Sequence, residues 1–543
     1  MQHLWSSINS WDNDVLPVEG DIVVINQTQW VILDQDTPVL NTLLIDGGAV
    51  YFEPTKNVEL KARYILIQNN GTLQIGTENE PHPTRAVITL YGHVFQTELP
   101  LFGTKVLMIN NGSLELHGMP RVVTWTHLAQ SAEAGSTTLV LTHPVDWEVG
   151  EKIVVSSTGR GALNNENEEH EIAAISADNY TLTLVNPIRY QKLSSTVNYT
   201  GNVSAMFAAE VGLLTRNVVI RGDNNSAVPS SLPECIEETI QQSTKQTCYW
   251  YSELYKKGVN QFGGHVFIGG PSNGTSPVRA HIAYTEFTYM GQAYRPGRHP
   301  LHFNSMGPMN ESHVNGCSIH NTFNGAVIIN GTQGVLVEDN VIYDVLGNGL
   351  FVENAPGQET IIQRNLFVNV KNSSGLGTAP STAIWMGEAN NTVIDNVVAG
   401  GNNFGFWYNF VPSEKGFSNA STFCPEMGLF QNNTVHSQGW SALFINGSFD
   451  PINSELCNLT DLDRTVFGKL FAWNNGKGAV CLDCEHVELQ DMLFINNVEA
   501  GVELSIPTNV NPSTYSSFGP IYTVSDLPEY HLPVIATDNI DIV

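Results

Sequence analysis

The chain has 543 residues, 42% of them hydrophobic and only 14% charged, with 53 acidic side chains against 24 basic ones. The net charge of -29 argues against nucleic acid and anionic membrane as partners, since both would be repelled. It also works against a polyanionic glycan unless local basic residues override the field.

In chain order, residues 1–128 carry period-two segments separated by glycine turns: DIVVIN, WVILD, TLLIDG, AVYFE, VELKARYILIQ, GTLQIG, AVITLYG and VLMINNGSLELHG. They predict a β-rich unit with no helix of note. No charged and then apolar leader opens the chain, and no run of about twenty apolar residues occurs. MQHLWSSINSW therefore reads as the edge of a longer protein.

Residues 129–200, with GSTTLVLTHPVDWEVGEKIVVSS and YTLTLVNPI, predict a small β-insertion. The stretch NNENEEH from Asn164 to His170 reads as a solvated acidic loop and a candidate cation site. Arg221-Gly222-Asp223 reads as a glycine turn.

Between residues 201 and 505 one short strand recurs as HPLHFN, GAVIIN, GLFVEN, TAIWMG, GFWYNF, SALFIN, GAVCLD and GVELSI. A strand repeating every 23 to 37 residues or so predicts a right-handed parallel β-helix, and the whole chain is read as all-β. Counting each strand from its opening residue assigns Leu301/Phe303, Ala326/Ile328, Leu350/Val352, Ala383/Trp385, Phe406/Tyr408, Ala442/Phe444, Ala479/Cys481 and Val502/Leu504 to the core face. The outer face then holds His302/Asn304, Phe351/Glu353 and Trp407/Asn409. Asn340, Asn396 and Asn432, each nine residues before a strand opening, predict turns whose amides stack and bond from rung to rung. Residues 506–543 lack the repeat and read as a tail or cap.

Sixteen Asn-X-Ser/Thr sequons predict a secreted, glycosylated chain: Asn26, Asn70, Asn111, Asn179, Asn198, Asn202, Asn224, Asn273, Asn310, Asn330, Asn372, Asn390, Asn419, Asn432, Asn446 and Asn458. Of seven cysteines, Cys235 with Cys248 and Cys424 with Cys457 bracket polar insertions and read as disulfide staples, whereas Cys317 and Cys481 read as small core residues.

The order Trp11, Pro17, Gly20, Asp21, Leu33-Asp34, Leu44-Ile45, Gly48, Gly71, Gly76, Gly92, Gly112 and Gly118 resembles the eight-glycine domain of the fibrocystin family. The same domain occurs in cell-surface and secreted hyaluronidases of the transmembrane-protein-two type, again followed by β-helix repeats. The resemblance runs from about Trp11 to Leu504. It implies an extracellular module of a membrane-anchored receptor, adhesion or coat protein, ciliary or stereociliary, with a protein or glycan partner.

The segment GRHPLHFNSMG resembles the hyaluronidase pattern GRYPxHFHxxG, with His302 kept and Asn304 in place of the second histidine. Where that branch resembles LGHxFFxED, Asn348 and Asn354 replace a histidine and an aspartate. Each replacement removes a proton-transfer group, so binding is favoured over catalysis. His302, Asn304, Glu353, Trp407 and Asn409 are the candidate ligand-binding residues. His302 and Glu353 are the leading catalytic candidates of the competing reading, a hyaluronan hydrolase; a lectin-like module is the third. No cofactor is implied, with a divalent cation such as Ca²⁺ left open. His299, His313 and His320 lie near His302 in sequence and could join it in a metal cluster.

Overall fold

A computed structural model describes residues 2–11, 14–93, 96–161, 166–199, 204–223, 261–270, 278–293, 295–353, 359–372, 380–409, 427–446, 465–482 and 487–505, with further strands at 517–518, 521–524 and 540–542. Cys235, Cys248, Cys424, Cys457, Asn354 and the sequons at Asn202, Asn224, Asn273, Asn419 and Asn458 lie outside the described residues.

The architecture is a parallel β-solenoid with three walls. The first wall contains the recurring strands, among them Leu301–Pro308, Val327–Gln333, Leu350–Glu353, Thr382–Met386 and Phe404–Asn409. The second contains Arg279–Ala283, His313–Asn315, Leu336–Glu338 and Ile361–Gln363. The third contains Thr285–Thr288, Ser318–Thr322, Val341–Leu346 and Leu366–Lys371. Every strand pairs in parallel with its equivalent one rung away, which buries apolar columns between the walls.

The glycine-rich amino-terminal region belongs to the same ladder. Val58–Ile75 runs through all three walls: Val58 to Ala62 pairs with Ala86–Leu90, Tyr64 to Gln68 with Val106 to Asn110, and Gly71 to Ile75 with Gly112 to Leu116. Val106–His117 then pairs with both His265–Gly269 and Arg279–Ala283. Gly71 must lack a side chain, because a Cβ there would sit 2.5 Å from the Ile45 carbonyl oxygen of the rung below. Beyond Ser505, the strands Ser517–Phe518, Ile521–Val524 and Ile540–Ile542 pair in register with the last full rung, so part of the segment expected as a tail continues the ladder.

Each rung from Thr285 onward is punctuated by two left-handed residues bracketing the third-wall strand. The first column is Tyr284, Gly316, Asp339, Arg364, Asp395, Asn432, Lys469 and Asp491; the second is Tyr289, Asn321, Asp344, Asn369, Gly400, Ser437, Asn474 and Asn496. Backbone there is costly for a non-glycine residue and least so for Asn and Asp, which matches their frequency. Directly after the first column runs the expected amide ladder. Asn340 Nδ2 donates to Asn365 Oδ1 (2.8 Å), Asn365 to Asn396 (3.0 Å) and Asn396 to Asn433 (3.2 Å). Asn433 holds the place assigned to Asn432; Asn432 is exposed and occupies the left-handed corner one residue earlier. Two adjacent asparagines serve the two roles, and counting back from Ser441 picks the wrong one.

The core face needs a similar correction. Leu301, Val327, Leu350, Ile384, Phe406, Leu443, Ala479 and Val502 stack in one buried column. Ile328, Trp385 and Phe444, assigned inward from the sequence, therefore lie on the outer side, in register with His302, Phe351 and Trp407. The residues equivalent to Gly349 and Gly405 are Ala326, Ala383 and Ala442, not the Gly325, Thr382 and Ser441 from which those strands were counted. A one-residue slip exchanges the two faces.

The insertion is a six-stranded antiparallel sheet that includes Trp125–His127, Lys152–Val155, Glu168–Ile175 and Glu210–Leu213. It packs Val154 and Leu214 onto Val341, Tyr343, Leu366, Val368, Val397 and Ala399 of the third wall. Glu168, expected in a solvated loop, is buried in a strand and meets Lys192 at 3.4 Å and His170 at 3.5 Å, because Lys192 is buried too and needs a counter-charge. Asp223 likewise pairs with buried Lys105. Cys317 is a buried free thiol, as expected, but Cys481, although buried, is disulfide-bonded.

A buried polar contact ties the insertion to the solenoid: Glu210 meets His436 Nε2 at 2.9 Å, and within the insertion accepts the Ser156 hydroxyl at 2.6 Å. Burial opposes its ionisation, yet His436, His127 and Ser156 together hold the carboxyl below its usual range. Glu210→Ala is expected to cost about 3 kcal/mol, since it leaves a buried partner unpaired. Hydrogen exchange should show faster exchange in Glu210–Leu213 and Lys152–Val155 before the solenoid strands respond.

Candidate functional site

The first wall displays two parallel columns on its outer side. One runs His302, Ile328, Phe351, Trp385, Trp407, Phe444. The Phe351 and Trp385 rings stack at 4.1 Å with planes 9° apart, and Trp407 meets Phe444 edge-on at 5.0 Å. Phe404 and Trp440 pack against it, each within 5 Å of a neighbouring ring centroid; Trp385, Phe404 and Phe444 are buried, and Phe351, Trp407 and Trp440 are the partly exposed rings. Trp407 is partly exposed, and its indole N–H is buried with no acceptor among the described residues.

The second column is polar. Asn304, Asn330 and Glu353 are in register, as are Asn409 and Asn446 further along. Asn330 donates to Glu353 at 3.4 Å and Asn446 to Asn409 at 3.0 Å. Neighbouring rungs are about 4.8 Å apart, so His302 and Trp407, four rungs distant, are separated by roughly 19 Å along the wall. The five residues proposed from the sequence share one side of the solenoid but do not converge on a point.

His302 departs most from its expected role. It is 7% exposed, not an open imidazole, and sits edge-on to Phe267 (5.3 Å) and His299 (5.4 Å) with Nδ1 3.4 Å from the Gly297 carbonyl. Burial lowers it to about 4 and His299 to about 3. Both rings are neutral at pH 7 and, among the described residues, neither has a carboxylate partner to make it a proton shuttle. Asn348, at a position that is histidine in the resembling pattern, accepts the Thr382 backbone N–H at 3.1 Å and holds adjacent rungs together.

The second carboxylate that sequence reasoning did not find is Glu388. It follows Gly387, whose N–H bonds the Val352 carbonyl of the rung below, and this brings it beside Glu353. Burial first, and the Glu353 charge second, push Glu388 up to about 7; burial also raises Glu353. At pH 7 Glu388 is therefore close to half-protonated, and a carboxyl kept partly protonated beside a second carboxylate can serve as an acid. The signal was hidden because Glu388 lies beyond the end of its strand, outside the alternation.

The expected histidine cluster does not assemble around His302. His320 bonds Glu286 at 3.3 Å. His313 lies on the second wall, stacked on His281 at 5.0 Å. There Glu115 Oε2 meets His117 Nε2 at 3.0 Å and His281 Nδ1 at 2.9 Å. Although burial opposes it, these two rings bring the Glu115 carboxyl down to about 2.

Residues 10–129 match the G8 domain family, and residues 261–382 and 376–443 match the CEMIP beta-helix family. The chain is 41% identical over 507 residues to human (Homo sapiens) fibrocystin-L, covering 92% of this chain and 12% of that protein. It is 29% identical over 538 residues to fibrocystin of Canis lupus familiaris, covering 94% and 13%. With the human cell surface hyaluronidase CEMIP2 it shares 27% over 346 residues, covering 57% and 23%. The chain thus spans about an eighth of the length of the fibrocystins it matches. Among solved structures, the gp54 tailspike of Acinetobacter baumannii bacteriophage AP22 aligns over 92% of this chain and 71% of its own, at 8% identity and a TM-score of 0.22, which adds nothing to the fold described above. By these matches residues 10–129 are a G8 domain and residues 261–443 a CEMIP beta-helix, in a chain similar along most of its length to one segment of the fibrocystins.

Proposed function

We propose that the chain is an extracellular module of a cell-surface protein of the fibrocystin type, and that it binds a glycan along the outer side of the first wall without cleaving it. The observation that carries this reading is the pair of partly exposed rings Phe351 and Trp407, backed in the same column by buried Trp385 and Phe444 and set beside a row of amides and a carboxylate. Aromatic faces stack on pyranose rings, and side-chain amides read hydroxyls. The wall's length suits a chain of several sugars better than a single ring. Glu353 and Glu388 add negative charge, so a neutral glycan is preferred to hyaluronan. The fibrocystin resemblance supports a ciliary or stereociliary setting, and the cell surface hyaluronidase supports an extracellular one. Exposed Asn26, Asn70, Asn179, Asn198, Asn310, Asn372 and Asn432 suit N-glycosylation. Asn111, Asn330, Asn390 and Asn446 are half-buried, and Asn330 and Asn446 are also committed to Glu353 and Asn409.

On a glycan array, the chain is expected to retain neutral oligosaccharides, and Trp407→Ala to weaken retention by about tenfold, or 1.4 kcal/mol. Trp407→Phe should lose less, because the ring remains. Retention unaffected by Trp407→Ala, or no retention by the wild type, rejects the glycan reading and leaves a protein ligand.

The second reading is hydrolysis, favoured by the raised Glu388 carboxyl beside Glu353. Sized hyaluronan and neutral glycans incubated with the chain, with and without divalent cations, would be shortened under this reading alone. Glu388→Gln would then abolish the shortening.

A further inference from the structure

We infer that Glu115, His117 and His281 form a binding site for a first-row transition-metal dication of the zinc type, at the junction between the glycine-rich rungs and the later ones. The three side chains come from two neighbouring second-wall strands, Val106–His117 and Arg279–Ala283, that are far apart in sequence and register-paired in space. One ligand atom from each lies within 4.8 Å of the others. Two of the three edges, 3.0 Å and 2.9 Å, are close to the edge of about 3.3 Å between donor atoms around tetrahedral zinc with bonds of 2.0–2.1 Å, and the third, between the imidazole nitrogens, is at most 4.8 Å. A small outward adjustment therefore admits the ion. His117 is buried, so its ring position is fixed by packing, and His281 is further bonded to the Glu311 backbone. Such outer bonds orient metal-binding imidazoles.

The donor set decides the class of ion. Two imidazoles and one carboxylate suit zinc and its first-row neighbours, whereas calcium and magnesium take oxygen ligands. His313, its ring parallel to His281 within 6°, stands next in the same column. It leaves the fourth position to a water or to its own imidazole after a ring rotation. In this site the ion pins two strands that are separated in sequence by the whole insertion.

The test uses the 543-residue chain purified without a histidine tag, stripped with EDTA, equilibrated with zinc chloride and freed of unbound ion. Elemental analysis should find one zinc per chain, and cobalt substitution should give visible bands of an imidazole-ligated site. His281→Ala and the near-isosteric Glu115→Gln should each weaken zinc binding by at least about tenfold, with the far-UV spectrum unchanged. Millimolar calcium should leave the zinc in place. Substoichiometric zinc in the wild type, zinc displaced by calcium, or undiminished binding by folded His281→Ala overturns the site.

Discussion

Asn396→Ala is expected to destabilise the chain by about 4 kcal/mol or more. The Asn396 amide donates to the Ile362 carbonyl (2.9 Å), the Ile394 carbonyl (3.0 Å) and Asn433 Oδ1 (3.2 Å). Its oxygen accepts the Asn365 backbone N–H at 3.1 Å and the Asn365 amide at 3.0 Å. All but the part-buried Ile394 carbonyl are cut off from water, and each such group left without a partner costs about 1–3 kcal/mol. Partial relaxation keeps the total below the simple sum. By contrast Asn432→Gly should change stability by less than about 1 kcal/mol, because that residue is exposed and supplies only a left-handed corner that glycine adopts freely. Urea unfolding of the two variants separates the ladder from the corner.

Glu388→Gln should stabilise the chain above pH 7 and leave it unchanged near pH 4. The carboxyl rises from 4.5 to about 7 on folding, through burial and the neighbouring Glu353. Stability associated with its neutral form is therefore complete below pH 4.5 and is lost as pH climbs through 7. The loss approaches about 3 kcal/mol at pH 8 or higher. Glutamine keeps the shape of the neutral acid and does not ionise, so the variant avoids the loss. Melting temperatures at pH 4 and pH 8.5 give the sign. A wild type and variant that differ equally at both values would place Glu388 in water, apart from Glu353.

The solenoid itself was legible because its signal is repeated: eight strands with one apolar column leave little freedom, and the Asn spacing gives the stacking. Local register was less legible. Ile328, Trp385 and Phe444 were placed inward because glycine, threonine and serine were taken as equivalent openings, whereas alanine and glycine are the residues that fit where the chain bends into the strand. The correction adds Trp385 to Phe351 and Phe444 to Trp407, giving two contacting ring pairs in one column. Glu388 and the Glu115, His117 and His281 group were invisible for another reason. They are brought together by rung stacking, which no window along the sequence samples. His302 was overread because its motif shows the residue type but not the Phe267 and His299 rings packed around it.

The distance between the two left-handed columns is five residues in every rung, from Asp339 and Asp344 to Asp491 and Asn496. The interval from one ladder asparagine to the next is nevertheless 25, 31 and then 37 residues. All the growth is thus accommodated on the flanks of the first wall, while the bracketed segment acts as a fixed gauge for stacking. Loop closure penalises added length only weakly. Related chains can accordingly exchange or extend the segments that border the aromatic wall, and so diversify what is recognised, without disturbing where the following turn of the coil lands.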